Sequence, residues 1–561
     1  MIKILRILFE SFRINFFGLF NVKTSSLTIK EFPVDEYGGI AFFQYPFQEN
    51  GNNKYFCQIY GENNSIDFTV AKRSYLKLTS EIIPGDIFTG LCKLNVSAGT
   101  LLPISIPNKR TDAAEANVTL TVNKKKYELG KLKQNSFHYI PFYNDSNVVV
   151  EAEKNFILGS PIRFKHSQNN KKNKKLVMSI FIDGLASEVV NEKHFDDLMP
   201  NTAKYFSEGS IFFNSISSAE WTLPSVPALF SGLYSINHKM CDPREKLILG
   251  CGYEIISEYY KKNGYTTAQV CSDFRKSPGY NYMKGFDRTL YKNSMNCKES
   301  IFNTVEHLRA FSETSNYVWL TLFDLHDFLD GIPDISNQVE SKIDLHDYSA
   351  DTSKSVYQVF DNNKKSRYEI EMKRVDFYLK ILFDYINENY DDDEVVLSIC
   401  SDHGQSYLND DEEFLSECRV VVPMMFKSSS TPKVVSDDMI SNVDYLPTLL
   451  HLSGIKYDKE KIDGLVPEIF NGDKGRKYCI TESIYPNKHY YAAIYSKDEI
   501  FFLESKNKIG NSVTDIDLSE LEITGYKYIT LSSDEKSRVK LDEDNLEKML
   551  RILIARQRNT S

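Results

Sequence analysis

Trp221-Thr222-Leu223-Pro224-Ser225 introduces a short segment, Pro224 to Ser231, that reads as a helix stopped by Gly232. Proline suits the first turn of a helix, because the N–H it lacks would have no intrahelical partner there. Thr222 therefore stands where unpaired backbone N–H groups and the positive end of the helix dipole meet, a place suited to an anionic ester. By itself, Thr-x-Pro-Ser is also an ordinary helix cap. Its flanks give it weight. Upstream, Leu176-Val-Met-Ser-Ile-Phe-Ile182 is an apolar run ending in Asp183-Gly184. Downstream, Val395-Val-Leu-Ser-Ile-Cys400 ends in Ser401-Asp402-His403-Gly404. Unbroken apolar runs of this length read as strands buried on both faces, the mark of a parallel sheet covered by helices. Two such strands that deliver carboxylate and imidazole groups at their C-terminal ends describe a metal site on an open α/β sheet.

The same grammar extends through the C-terminal two thirds of the chain. Gly264-Tyr-Thr-Thr-Ala-Gln-Val270 reads as a helix end followed by a strand. Asn316-Tyr-Val-Trp-Leu-Thr-Leu-Phe323 is another buried strand and leads into Asp324-Leu-His326. Tyr368 to Tyr390 carries apolar residues at helical spacing, and about 330 to 365 is polar and reads as a surface excursion. Residues 25–164 differ. Ser26–Phe32, Ile40–Tyr45, Asn117–Val122 and Asn147–Ala152 are short alternating runs between turn signals, as in an all-β sandwich or jelly roll. Lys165 to Lys175 is polar and basic and reads as a linker. The expected organisation is thus a segment 1–24, a β-sandwich-like domain 25–164, a linker 165–175 and an α/β domain 176–561. Phe42, Phe43 and Tyr45 fit either a sugar-binding face or the core of the front domain.

At 561 residues the chain exceeds one ordinary core, so two or three domains are expected. A formal net charge of −10 argues against a nucleic-acid binder, which needs a basic surface. Nine scattered cysteines with no CxxC pair fit reduced thiols in a cytosolic compartment. Residues 1–20 are apolar but interrupted by Lys3, Arg6, Glu10 and Arg13, which excludes an uninterrupted signal-peptide core or membrane span. Two readings stand for this segment: a basic amphipathic helix on a membrane surface, or a first helix packed on the protein. The expected location is cytoplasmic, with the inner membrane face as the place of any peripheral contact.

Asp183, Thr222, Asp402 and His403 form a coherent set of donors for Zn²⁺ or Mn²⁺. A cation there would lower the hydroxyl pKa of Thr222 and make it the nucleophile, as well as offset charge on the ester. Asp324, His326 and, further off, His489 are the candidates for a second ion, so one or two ions are expected. Singly, each residue also suits a plainer role. Asp183-Gly184 and Asp402-His403-Gly404 serve as turns, and His326 as a buried histidine satisfied by a carbonyl.

Residues from about 176 to 505 resemble the alkaline phosphatase superfamily, in its sulfatase-like and nucleotide-pyrophosphatase-like branches. The motifs occur in family order: Asp183, then Thr222-Leu-Pro-Ser with Ser231-Gly-Leu-Tyr-Ser-Ile-Asn-His238, then Lys284-Gly-Phe-Asp287. Leu322-Phe-Asp-Leu-His326, Ser401-Asp-His-Gly404, Arg419–Phe426 and Asn442-Val-Asp-Tyr-Leu-Pro-Thr follow, with Asp463-Gly464 behind. The resemblance implies an alkaline-phosphatase-like, mainly parallel sheet with flanking helices, preceded by the β-sandwich-like domain that lies outside it.

The departures bear on chemistry. Sulfatases convert a cysteine or serine within Cys-x-Pro-x-Arg to formylglycine. Here Thr222 holds that place and Val226 stands where the arginine would be. By resemblance, threonine nucleophiles serve phosphodiesterases and phosphoglycerol or phosphoethanolamine transferases. The phosphodiesterase branch uses Asp-x-x-x-His for its second metal, whereas Asp324-Leu-His326 is shorter and is similar to the substrate-binding histidine of sulfatases. The expected function is a metal-dependent phosphoester hydrolase or phospho-group transferase, with a phosphodiester of a surface glycan or lipid headgroup as substrate. The alternative is a sulfuric ester hydrolase. A third reading is a glycan-binding protein on a degenerate enzyme fold, against which the intact Asp183, Thr222, Asp402 and His403 argue.

Overall fold

The structure, a computed structural model, describes residues 35–540 except 38–39, 45–53, 60–78, 108–115, 134–135, 166–172, 242–248, 273–279, 294, 327–334, 341–357, 411–413, 473–474, 485–487, 510–520 and 533–534. The segment 1–24, the run Ser26–Phe32 and Tyr45 lie outside the described residues, as does most of the excursion between 330 and 365.

The apolar runs form one parallel ladder. Strands Arg288–Tyr291, Thr266–Cys271, Asn316–Leu322, Leu176–Ile182 and Val395–Cys400 lie side by side in that order, all parallel. Val421–Ser428 then pairs antiparallel with Val395–Cys400, and Ser210–Ile216 antiparallel with Val421–Ser428. Register decides what meets at the sheet's C-terminal edge. Ile182 pairs with Leu322 and Phe181 with Cys400, so Asp183, Phe323-Asp324 and Ser401-Asp402 leave the sheet at one level.

Alternation along the Leu176–Ile182 strand explains why both faces are covered. Met178, Ile180 and Ile182 pack with Tyr368, Met372, Val375 and Leu379 of the long helix Asn362–Asn389. Val177 and Phe181 point the other way, towards Leu223, Val226, Leu229 and Phe230 of the helix Thr222–Ser231. A strand with two apolar faces needs such cover, and that is why no polar residue but Ser179 interrupts it. The long helix begins at Asn362, six residues before the apolar spacing becomes visible. Asp361 caps it by accepting hydrogen bonds from the N–H groups of Asn363 and Lys364.

The front strands make the expected sandwich. Leu91–Val96, Ser146–Ala152, Ala116–Val122 and Lys125–Leu132 form one sheet, while Thr100–Ser105, His138–Phe142 and Phe156–Gly159 belong to the facing one. Val96, Val118, Leu120, Val148 and Val150 from the first interdigitate with Leu102, Ile104, Phe156 and Leu158 from the second. The strand Ser80–Phe88 also pairs antiparallel with Arg288–Tyr291, so the front strands and the parallel ladder share one sheet across the basic stretch. A feature not anticipated is an antiparallel C-terminal sheet, Cys479–Ser483, His489–Tyr495, Glu499–Lys508, Leu521–Ser532 and Glu535–Lys540. Its inner face packs on Ala228 and Tyr234 beside the Thr222 helix. Among the described residues there is no disulfide, and no helix is long and apolar enough to cross a membrane.

Candidate active site

Three loops and one helix start converge at the C-terminal edge of the sheet. The helix starts at Thr222 rather than Pro224, with Trp221 extended at its cap and Gly232 left-handed at φ 68° closing it. Pro224 thus occupies the third position of the first turn, still among the residues whose N–H has no helical partner. Thr222 is buried, and its Oγ1 lies 3.3 Å from His403 Nε2. The His403 ring is oriented from behind, for its Nδ1 lies 2.7 Å from the Gly404 carbonyl oxygen. Nδ1–H donates there, which turns Nε2 towards Thr222 and the carboxylates. Nε2 is 3.9 Å from Asp183 Oδ1 and 3.4 Å from Asp402 Oδ2.

His326, expected at a second ion beside Asp324, instead completes this group. Asp183, His326 and His403 are all buried, and each offers a ligand atom within 4.8 Å of the other two. Carboxylate and imidazole donors at that separation match what a borderline divalent ion such as Zn²⁺ or Mn²⁺ takes. Asp402 flanks the trio, its Oδ1 accepting the Gly184 N–H at 3.1 Å. The His326 ring stacks on Phe323, with centroids 5.1 Å apart, and stands edge-on to His403 at 5.9 Å.

The loops are tied to one another rather than left to solvent. The Leu185 N–H donates to Ser401 Oγ at 3.0 Å, and Gln405 Nε2 to the Leu325 carbonyl at 3.2 Å. Tyr368, from the long helix, donates to the Gly184 carbonyl at 2.6 Å and accepts from the Ala186 N–H at 3.0 Å. Burial raises the Tyr368 pKa, the Ala186 contact opposes this, and the Asp183 and Asp402 charges raise it further, so the phenol stays a donor. Gly184 has φ +73°, and a Cβ there would lie 2.3 Å from Gln405 Nε2. At Gly404 a Cβ would meet the Cys418 carbonyl oxygen at 2.0 Å. Glycine after Asp183 and after His403 is therefore a steric requirement of the crossing loops.

Two expected ligands lie elsewhere. Asp324 turns towards the long helix, where Arg374 Nη1 donates to its Oδ1 at 2.8 Å, and Arg374 also pairs with Glu371. Burial foremost, then the Asp324 charge, raises the neighbouring Cys297 thiol, which stays protonated. A carboxylate held by a half-buried guanidinium is committed to that ion pair, which explains why it does not join the trio. His489 stands at the start of a strand of the C-terminal sheet, its Nδ1 2.7 Å from the Ser505 carbonyl oxygen and 3.9 Å from Glu504 Oε1. Among the described residues, the cluster of possible metal ligands is Asp183, His326 and His403, and neither Asp324 nor His489 belongs to it. The sequence reading also gave no role to Ser217, Ser225 and Asn442, which meet behind the Asp402 carbonyl. Buried serines look like any cap or turn residue in a sequence, and Asn442 offered only its place in a family motif.

A family model described as Sulfatase matches residues 175–455, half of the chain. Similar solved structures include Ps i-CgsB in complex with k-i-k-neocarrahexaose, at 14% identity and a TM-score of 0.52, covering 69% of this chain and 94% of that one. Another is a protein of Bacteroides thetaiotaomicron VPI-5482 whose name carries a provisional sulfatase assignment. It has 14% identity, a TM-score of 0.52, and coverage of 69% of this chain and 92% of that one. No curated protein matches in sequence. The family match backs the sulfatase-like alternative over a phosphodiesterase in particular, and it singles out neither zinc nor manganese.

Proposed function

Because this chain belongs to the sulfatase family, within the alkaline phosphatase superfamily, we propose that it is a divalent-metal-dependent hydrolase of anionic esters that attacks with Thr222 Oγ1. The observation that carries this reading is the contact of Thr222 Oγ1 with His403 Nε2 at 3.3 Å, beside the buried Asp183, His326 and His403 group.

Asp183, His326 and His403, with Asp402 beside them, would hold the ion. Bound there, a divalent cation favours the alkoxide form of a nearby hydroxyl and offsets charge on an ester oxygen. The rest falls to the chain itself. The first turn of the Thr222 helix offers unpaired N–H groups to the non-bridging oxygens of a sulfate or phosphate. The Gly404 carbonyl fixes the His403 tautomer, and the buried walls keep competing water from the nucleophile. A sulfate ester on an oligosaccharide is the substrate that family membership favours, in keeping with the neocarrahexaose held by a neighbour of like fold.

A specific residue favours a second ester. Thr222 is a secondary alcohol, which oxidation would turn into a ketone and not into the aldehyde of formylglycine. Direct attack by its oxygen on phosphorus, with the P–O bond to the ester alcohol breaking and that alcohol leaving, gives a covalent threonyl phosphate that water or an alcohol resolves, which suits a phosphoester. Turnover of p-nitrophenyl sulfate, p-nitrophenyl phosphate and bis-p-nitrophenyl phosphate, with metal analysis of the same preparation, decides between them. Thr222→Ala is expected to lower the rate on the preferred ester by about a thousandfold or more while metal is retained. A variant that turns over like wild type removes Thr222 as nucleophile.

A further inference from the structure

We propose that Ser225 and Asn442 are positioning residues that fix the distance between the nucleophile helix and the Asp402–His403 loop. This rests on the reading that the Asp183, His326 and His403 group holds a divalent ion.

Ser225 follows Thr222 by three residues, so both project from one side of the first turns of the helix. They grip consecutive residues of the loop. Ser225 Oγ donates to the Asp402 carbonyl at 2.6 Å, while Thr222 Oγ1 lies 3.3 Å from His403 Nε2. Ser217, just beyond the strand Ser210–Ile216, donates to the same Asp402 carbonyl and lies 2.9 Å from Ser225 Oγ. Asn442 closes the knot. Its Nδ2 is 3.2 Å from Ser217 Oγ, 3.1 Å from Ser225 Oγ and 3.2 Å from the Ser401 carbonyl. All of these residues are fully buried, so no water competes for the contacts.

Asn442 is itself held firmly. Asp444, two residues on, accepts the Ser441 N–H at 2.8 Å and the Arg476 Nε–H at 2.8 Å, the latter from just before the C-terminal sheet. The knot therefore joins four separate parts of the chain at the backbone of one candidate ligand. The same helix supplies a control. A serine within a helix normally turns its hydroxyl back to the carbonyl four residues earlier. Ser231 does so, donating to the Pro227 carbonyl at 2.6 Å, whereas Ser225 reaches out of the helix to Asp402. Both are buried hydroxyls on one helix, and only one touches the loop.

Removing a partner that orients a ligand typically weakens metal binding by about ten- to a hundredfold. The test titrates the metal-stripped full chain with Mn²⁺ and with Zn²⁺, and records thermal unfolding of each variant beside it. Ser225→Ala and Asn442→Ala are each expected to weaken binding by about tenfold or more. Ser231→Ala is expected to lower stability comparably to Ser225→Ala and to leave metal affinity within about twofold. Should Asn442→Ala fail to fold, Ser225→Ala against Ser231→Ala still decides. Affinity within about twofold of wild type in Ser225→Ala overturns the inference, as does equal weakening by Ser231→Ala. A wild-type chain that takes up neither ion overturns the metal-dependent reading, and this inference with it.

Discussion

The strands Leu176–Ile182 and Asn316–Leu322 are neighbours, paired in parallel over seven residues, and both are buried along their whole length. Each is followed within two residues by an aspartate, Asp183 in one case and Asp324 in the other. Their fates differ. Asp183 faces the imidazoles of His326 and His403, and Asp324 faces a guanidinium. The long helix Asn362–Asn389 makes the difference, since it presents the neutral phenol of Tyr368 to the first loop and the charge of Arg374 to the second. A strand-end carboxylate is thus raw material. The helix packed behind the sheet decides whether it faces the imidazoles or becomes half of an ion pair.

The sharpest way to break this contrast is to neutralise each carboxylate in turn. Asp183→Asn should lower Mn²⁺ or Zn²⁺ affinity by about a hundredfold or more, because it removes a charged donor. Asp324→Asn should leave metal affinity nearly unchanged and destabilise the fold by roughly 2–3 kcal/mol, because Arg374 loses a well-buried carboxylate partner. Metal titration and urea unfolding of both variants check this, and exchanged phenotypes would end the comparison.

Buried histidines allow the same contrast. His403 turns towards carboxylates, whereas His307 is enclosed and has the Arg288 guanidinium 3.4 Å from its Nδ1. Burial first, and the Arg288 charge next, lower the His307 pKa to about 3. The unfolded chain, with a histidine pKa near ~6.5, binds that proton first as pH falls. The contribution to stability is therefore complete above about pH 6.5 and is lost progressively towards pH 3, with a slope of at most about 1.4 kcal/mol per pH unit. His307→Gln should flatten the unfolding profile between those limits, and an unchanged slope would assign the effect to other groups. The smallest effect concerns the helix's neutral contact. Tyr368→Phe removes the hydrogen bonds to Gly184 and Ala186 and should cost about 1 kcal/mol in urea unfolding. A loss as large as that from Asp324→Asn would mean that phenol and guanidinium are not the contrasting partners described.

What could be read from the sequence follows the same division. Unbroken apolar runs identified the parallel strands, and their polar ends named Asp183, Thr222, Asp402 and His403, because strand periodicity and helix-start chemistry are local. The fate of Asp324 was not local. Its partner Arg374 lies fifty residues on, in a helix whose first turns carry no apolar spacing. His489 looked like a spare ligand because nothing nearby announced the antiparallel C-terminal sheet that holds it. The sulfatase-like alternative outranks the phosphodiester expectation for a different reason. The fold is spread over hundreds of residues, whereas the preference for phosphate rested on the single substitution at Thr222. The front sandwich followed from alternation, but its attachment did not, since pairing between Ser80–Phe88 and Arg288–Tyr291 joins positions some two hundred residues apart.

That attachment has a consequence for anyone wishing to divide the molecule. Ser80–Phe88 covers one side of the parallel ladder, and a cut at the basic stretch would leave Arg288–Tyr291 as a raw edge with its N–H and C=O groups bare. Such an edge adopts whatever ribbon comes first, most readily one from an identical neighbour. The β-rich front in this sense finishes the sheet that it joins, whatever else it touches.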